Sequence, residues 1–190
     1  FTTKTSSVAL KAQEYLKSLW LSRLSNLEKM NETGIPENYH NLHHFISDSP
    51  WDGVKLMDTV SKEVNGCLPN RKLTGLHFDE SGVGKKGTQS VGVSPQYCGN
   101  LGKVDNCQVA VYASLNNGDF ASLVDSRLYL PKKWISDKKR CDKAKIPLEH
   151  RKFKTKQELA LDMLKHQIEL GITFDYIGVD ALYEIGRAHV

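Results

Sequence analysis

Leu73-Thr74-Gly75-Leu76-His77-Phe78-Asp79 changes the periodicity of the chain from helical to alternating, and that change decides the fold class. Apolar residues at every second position read as a half-buried β-strand. The same reading applies to Ser90-Val91-Gly92-Val93-Ser94, to Gln108 through Ala113 and, as a fourth strand, to Leu123 through Leu130. Thr155 then opens a helix, because Glu158 three residues on completes a capping box and Gly171 is placed to end it. Leu159, Met163, Leu164 and Ile168 are its expected buried stripe. Phe174-Asp175-Tyr176-Ile177-Gly178-Val179 is a final strand that ends at Asp180. Meandering strands, then a helix, then one more strand predict an α+β sheet domain.

Upstream the pattern is helical. Tyr15, Leu16, Leu19, Trp20, Leu24 and Leu27 recur mostly at i, i+3, i+4 spacing, which predicts an amphipathic helix over residues 8–30. Asn31 to Pro36 breaks it, and a short helix is expected from Asn38 to Ser47. Ser49-Pro50-Trp51-Asp52 offers an N-cap, a first-turn proline and an acid for a helix running to about Asn65. The expected organisation is a helical N-terminal region over 1–68 and a sheet domain over 69–183. The last seven residues, Glu184 to Val190, read EIGRAHV, a translation of a common short-read sequencing adapter. Native sequence is therefore expected to stop near Tyr183, and the chain is expected to be a fragment.

With 39% hydrophobic and 25% charged residues among 190, the chain can build a core, and disorder throughout is excluded. No apolar run approaches the ~20 residues that span a bilayer. The four cysteines (Cys67, Cys98, Cys107, Cys141) form no CxxC pair, which argues against a disulfide framework or zinc ribbon and for a cytoplasmic protein with reduced thiols. Charge is distributed unevenly. The segment from Lys132 to Lys156 carries 11 of the 26 basic residues and three acids, so it is +8 while everything else sums to −4. Such a segment reads either as a solvated surface loop or as a grip on a polyanion, with Lys132, Lys133, Lys138, Lys139, Arg140, Arg151, Lys152 and Lys154 as its contacts.

Gly82-Val83-Gly84-Lys85-Lys86-Gly87 matches G-x-G-x-x-G, but the residues after it are strand-like, and no helix opens there to face a pyrophosphate. It reads as a glycine-rich hairpin turn carrying Lys85 and Lys86, two lysines suited either to solubility or to phosphate contact. His40, His43 and His44 lack zinc-ligand spacing and read as surface or half-buried residues of a short helix. Cys98 and Cys107 read as small core residues. Asp79 and Asp180 are the strongest candidates, each at the C-terminal end of a predicted strand. Paired carboxylates on neighbouring strands suit hard divalent cations, although acids at strand ends also serve as caps and turn residues. Alternation puts Glu80 on the face opposite Asp79.

Ordered blocks of sequence then carry a resemblance. His44-Phe45-Ile46-Ser47-Asp48-Ser49-Pro50-Trp51-Asp52, Phe78-Asp79-Glu80-Ser81-Gly82, Gln96-Tyr97-Cys98-Gly99, Leu101-Gly102-Lys103-Val104-Asp105-Asn106-Cys107-Gln108-Val109, Asp125 through Pro131 and Asp180-Ala181-Leu182-Tyr183 occur in this order. Together they resemble bacterial insertion-sequence transposases of the DDE superfamily endonuclease group, over roughly Leu19 to Tyr183. The resemblance implies a helical region followed by an RNase H-like catalytic domain, truncated here, with Asp79 and Asp180 as its first two catalytic, metal-holding carboxylates. It implies a third acid, a Glu further downstream. It also implies cut-and-paste transposition of double-stranded DNA, with two Mg²⁺ or Mn²⁺ ions serving hydrolysis at the element's ends and then strand transfer. The partners implied are element-end and target DNA and further copies of the chain, in the cytoplasm at the nucleoid, with no membrane. Lys85 and Lys86 are expected on phosphates flanking the scissile one. The alternative is a non-catalytic, DNA-binding transposase remnant.

Overall fold

The computed structural model describes residues 9–22, 27–32, 39–49, 52–68 and 72–180. The adapter-like tail, Pro50 and Trp51 lie outside the described residues, as does the stretch 23–26 in the middle of the predicted first helix. The chain divides into two compact units between Gly53 and Val54. In the first, α1 (Ala9–Leu21), α2 (Leu27–Glu32) and α3 (Tyr39–Ser47) bury Ala12, Met30, Leu42 and Phe45, and the Tyr15 and Phe45 rings meet at 5.8 Å. The histidines His40, His43 and His44 lie on the exposed side of α3. Ser49 closes α3 rather than opening the next helix: its N–H donates to the His44 carbonyl at 3.1 Å. The next helix, α4, runs from Gly53 to Cys67.

The second unit is a mixed sheet with helices on one face. β1 (Thr74–Gly84) pairs antiparallel with β3 (Lys103–Asn117), whose other edge carries β2 (Ser94–Cys98) and β4 (Phe120–Leu128) in succession. After α5 (Lys132–Ser136), α6 (Lys138–Lys143) and α7 (Lys156–Glu169), β5 (Tyr176–Val179) joins the far edge of β1 in parallel. This is the expected α+β, RNase H-like arrangement. The sequence pattern set the domain boundary at residue 68, whereas α4 packs with the sheet: Val64 and Leu68 rest on the core, and Asp58 meets His166 of α7 at 2.8 Å.

Two strand expectations are corrected. Ser90–Ser94 is not a strand; it is a turn through Gly92, whose φ of +80 puts any Cβ 2.9 Å from the Tyr129 carbonyl. The strand begins at Ser94 and pairs with β3 instead of β1. Gly82 and Gly84 are likewise part of β1, not of a hairpin turn, because the 15-residue β3 supports β1 along its full length. Asp79 is thus mid-strand, the sixth of eleven residues.

Leu76 and Phe78 of β1 join Val111, Ala113 and Leu115 of β3 under Ala160 and Met163 of α7. Each fully buried side chain of this size stabilises the fold by roughly 1.5–3 kcal/mol. On α7 the inward residues are Ala160, Met163 and Gln167, with Leu159 and Leu164 half-buried, whereas Ile168 is 57% exposed. Gln167 takes the inward place because the sheet offers it work. A β-bulge places Val124 and Asp125 consecutively inside, and Ser61 Oγ (2.7 Å) and Gln167 Nε2 (3.5 Å) both donate to the Val124 carbonyl. Burial pushes the Asp125 carboxyl up, although Arg127 Nη2 donates to it at 3.1 Å.

The predicted capping box is present. Glu158 N–H donates to Thr155 Oγ1 at 3.2 Å, and Thr155 N–H donates to Glu158 Oε2 at 2.7 Å. Hydrogen bonds from Thr155 hold the Glu158 carboxyl below its ordinary value of 4.5. A depressed folded-state pKa contributes stability above the unfolded value and loses it as pH falls through the folded one. Thr155→Ala should therefore cost about 1 kcal/mol near pH 7 by urea unfolding. The cost should shrink as the pH is lowered below 4.5.

Candidate active site

Alternation along β1 assigns its side chains to two faces. Leu76, Phe78 and Glu80 face the helices; His77, Asp79 and Ser81 face the other way, opposite Ser114, Tyr112 and Ala110 of β3. Glu80 is engaged on the helix side by Lys156 Nζ at 2.5 Å, at the start of α7. The other face holds the two candidate acids. β5 runs parallel to β1 with Leu76 opposite Ile177, His77 opposite Gly178 and Phe78 opposite Val179. The ladder ends at Phe78 opposite Val179; Asp79 and Asp180 are the next residue on each side, and the same register carried one step further would set them opposite each other on one face. Both aspartates are exposed, and Asp79 Oδ1 accepts the N–H of Glu80 at 2.8 Å. Two adjacent exposed carboxylates fit a Mg²⁺ or Mn²⁺ ion as part of its ligand set, since such ions take oxygen donors and retain water. Among the described residues no group of three or more His, Cys, Asp or Glu side chains is placed to hold a metal.

The basic residues separate by what they touch. Lys85 and Lys86 follow the end of β1, in a loop fixed by Asn106 Nδ2, which donates to the carbonyls of Lys85 (2.6 Å) and Gly87 (3.0 Å). Because the strand stays extended through Gly84, Lys85 lies about 20 Å along it from Asp79. Arg140 is built into the protein: its guanidinium stacks 3.7 Å from the Trp134 ring centroid and donates to the Thr88 carbonyl at 2.5 Å. Arg151 donates to the Ile146 carbonyl (2.8 Å) and to Asp142 (2.6 Å), and Lys154 pairs with Asp162. Lys132 sits 4.9 Å over the Phe153 ring. Lys138 and Lys152 are exposed.

Lys133, Lys139 and Lys143 instead line an open groove of about 640 Å³ with Arg140, Ser94 and Pro95, and Asp137 is its one acid. Its wall depends on Trp134, fully buried, whose Nε1 donates to the Val93 carbonyl at 2.7 Å. Neither Trp134 nor Asn106 stood out in the sequence, since one lies in a lysine-rich run and the other in a strand. Cys98 and Cys107 are core residues as read, and burial beside Cys98 pushes the Cys107 thiol up to about 11, which leaves it unreactive.

Arg140→Lys keeps the charge but loses the planar stack and fork. It should lower stability by about 1.5–3 kcal/mol, the range for hydrogen bonds made by a charged group, as read in thermal unfolding. Lys139→Gln should leave stability unchanged within ~0.5 kcal/mol, as surface substitutions do.

No solved structure matches the chain. It is 31% identical over 177 residues to the probable transposase for insertion sequence element IS701 from Microchaete diplosiphon, an alignment covering 90% of this chain and 43% of that protein. The chain thus spans less than half the length of that relative. The family model described as DDE superfamily endonuclease matches residues 15–187. With nearly all of its length matched, and with its α+β sheet, the chain belongs to the DDE superfamily endonucleases.

Proposed function

We propose that this chain supplies the first two acids of a DNA transposase that cuts an insertion sequence out of double-stranded DNA and joins it elsewhere. The observation that supports the reading is the parallel β1–β5 register, which, carried one residue beyond Phe78–Val179, brings Asp79 and Asp180 opposite each other on the face away from α7. Asp79 and Asp180 would hold the Mg²⁺ or Mn²⁺ ions, which when bound supply positive charge for in-line displacement at phosphorus. The chain's own part is placement. The strands fix the two carboxylates relative to each other, and Lys133, Lys139 and Lys143 neutralise backbone phosphates that pass along the groove. Action on paired element ends calls for more than one copy of the chain, in the cytoplasm at the nucleoid. No helix among the described residues is long and apolar enough to cross a membrane.

The alternative is a non-catalytic, DNA-binding transposase remnant. The lysine groove would serve that second reading as well, since gripping backbone phosphates needs no metal.

Mn²⁺ binding followed by electron paramagnetic resonance separates the two. Asp79→Asn and Asp180→Asn should each weaken Mn²⁺ binding at least ~10-fold, about 1.4 kcal/mol, while retention of a labelled duplex is kept. Lys139→Gln with Lys143→Gln should do the reverse. Duplex affinity should fall, and the slope of log K against log salt should flatten by about 0.9 per lost phosphate contact. Mn²⁺ binding unchanged by both aspartate substitutions would sink the catalytic reading and leave the DNA-binding one.

A further inference from the structure

β5 leads directly into Asp180. It has four residues, it is a sheet edge, and three of the four are exposed. A slip of two residues along β1 would keep every side chain on its face and still move Asp180 beside His77 or Ser81. At the start of the strand Asp175 brackets Thr74, with Asp175 N–H donating to the Thr74 carbonyl and Thr74 N–H donating to Asp175 Oδ2, both at 2.7 Å. Nearer the acids the constraint is of another kind. On the face that carries them, the opposed pairs are Gly75 with Tyr176 and then His77 with Gly178. Each pair sets a ring against a glycine, in opposite order on the two strands. A Cβ on Gly178 would lie 2.2 Å from His77 Nδ1, and a Cβ on Gly75 would lie 2.5 Å from both His77 Nε2 and the Tyr176 ring. The two rings meet edge to face at 5.5 Å. His77 Nε2 is buried without a hydrogen-bond partner and lies against Gly75, one row further from the acids, so the imidazole is seated as a shape and not as a ligand.

We propose that the reciprocal seating of His77 over Gly178 and Tyr176 over Gly75 fixes the register of β5 and thereby sets the separation of Asp79 and Asp180. His77 is then a positioning residue, and the metal-binding consequence rests on the reading of the two acids given above. In a two-residue slip each ring would lose its glycine and meet a side chain or another ring, which is the penalty that selects the observed register.

The test uses a size swap on the whole chain. Gly178→Ala puts a methyl where the imidazole sits; His77→Ala, added to it, empties that space again. Register is read without metal by replacing Asp79 and Asp180 with cysteine and bridging them with dibromobimane, which fluoresces only when both of its arms have reacted with thiols a few ångströms apart. Peptide mapping locates the bridge. The 79–180 bridge should form in the otherwise unaltered chain, fall at least 5-fold with Gly178→Ala and return with His77→Ala/Gly178→Ala. With both aspartates in place, Mn²⁺ affinity should fall and return in the same order, with far-ultraviolet circular dichroism showing each variant folded. If Gly178→Ala bridges normally, or the double variant bridges no better than Gly178→Ala alone, the proposal is wrong. If bridging follows the swap but Mn²⁺ affinity does not, the register device stands and the metal reading of the acids fails.

Discussion

Four residue pairs join β5 to β1, from Gly75 opposite Tyr176 to Phe78 opposite Val179, and they are the only pairs among the described residues that run parallel. A parallel neighbour cannot be reached by a hairpin, so the chain must cross over, and α7 makes the crossing. Its length and ends follow from that duty. The Thr155–Glu158 box starts it at the level of Glu80, where Lys156 ties it to β1, and Gly171 at φ +77 turns the chain back toward Thr74. Ala160 and Met163 seal the face below Phe78. Sheet, helix and edge strand are thereby parts of one constraint whose outcome is the parallel register of β1 and β5.

The two faces of β1 divide the labour between stability and chemistry. Burial of Leu76 and Phe78 supplies the free energy, and alternation then obliges His77 and Asp79 to face away from the helices. A single-residue change of register would exchange the two sets. The same logic sets Glu80 apart from Asp79 although the two are neighbours in sequence: one is tied to Lys156 on the helix side, and the other is exposed on the opposite face. Polar groups inside are held to account by partners, as where Ser61 and Gln167 serve the carbonyl that the bulge at Val124 takes out of the ladder.

Much of this was legible in the residues because it rests on local rules. The alternation of Leu73–Asp79 and of Gln108–Ala113, the capping box and the terminal Gly171 are properties of short windows, and each element stands where they put it. What failed depended on partners distant in sequence. Ser90–Ser94 alternates like a strand, but the Tyr129 carbonyl and the left-handed turn at Gly92 occupy its place. Gly82 and Gly84 weaken strand propensity, yet β3 holds them in the ladder. Ile168 fits a helical stripe, but Gln167 wins the inward position through a carbonyl on β4. Composition likewise marked the lysine-rich segment without showing that Arg140 and Arg151 serve the protein's own carbonyls while Lys133, Lys139 and Lys143 line a groove.

In the proposed function, Asp79 and Asp180 form one oxygen-donor site on the face of the β1–β5 pair away from α7. Anomalous diffraction at the manganese edge from crystals of the chain grown with Mn²⁺ tests it most directly. An anomalous peak is expected within coordination distance of both carboxylates, about 2.0–2.2 Å for ions of this class, and should be lost in Asp180→Asn. A peak held by other residues, or carboxylates too far apart to share an ion, would contradict it.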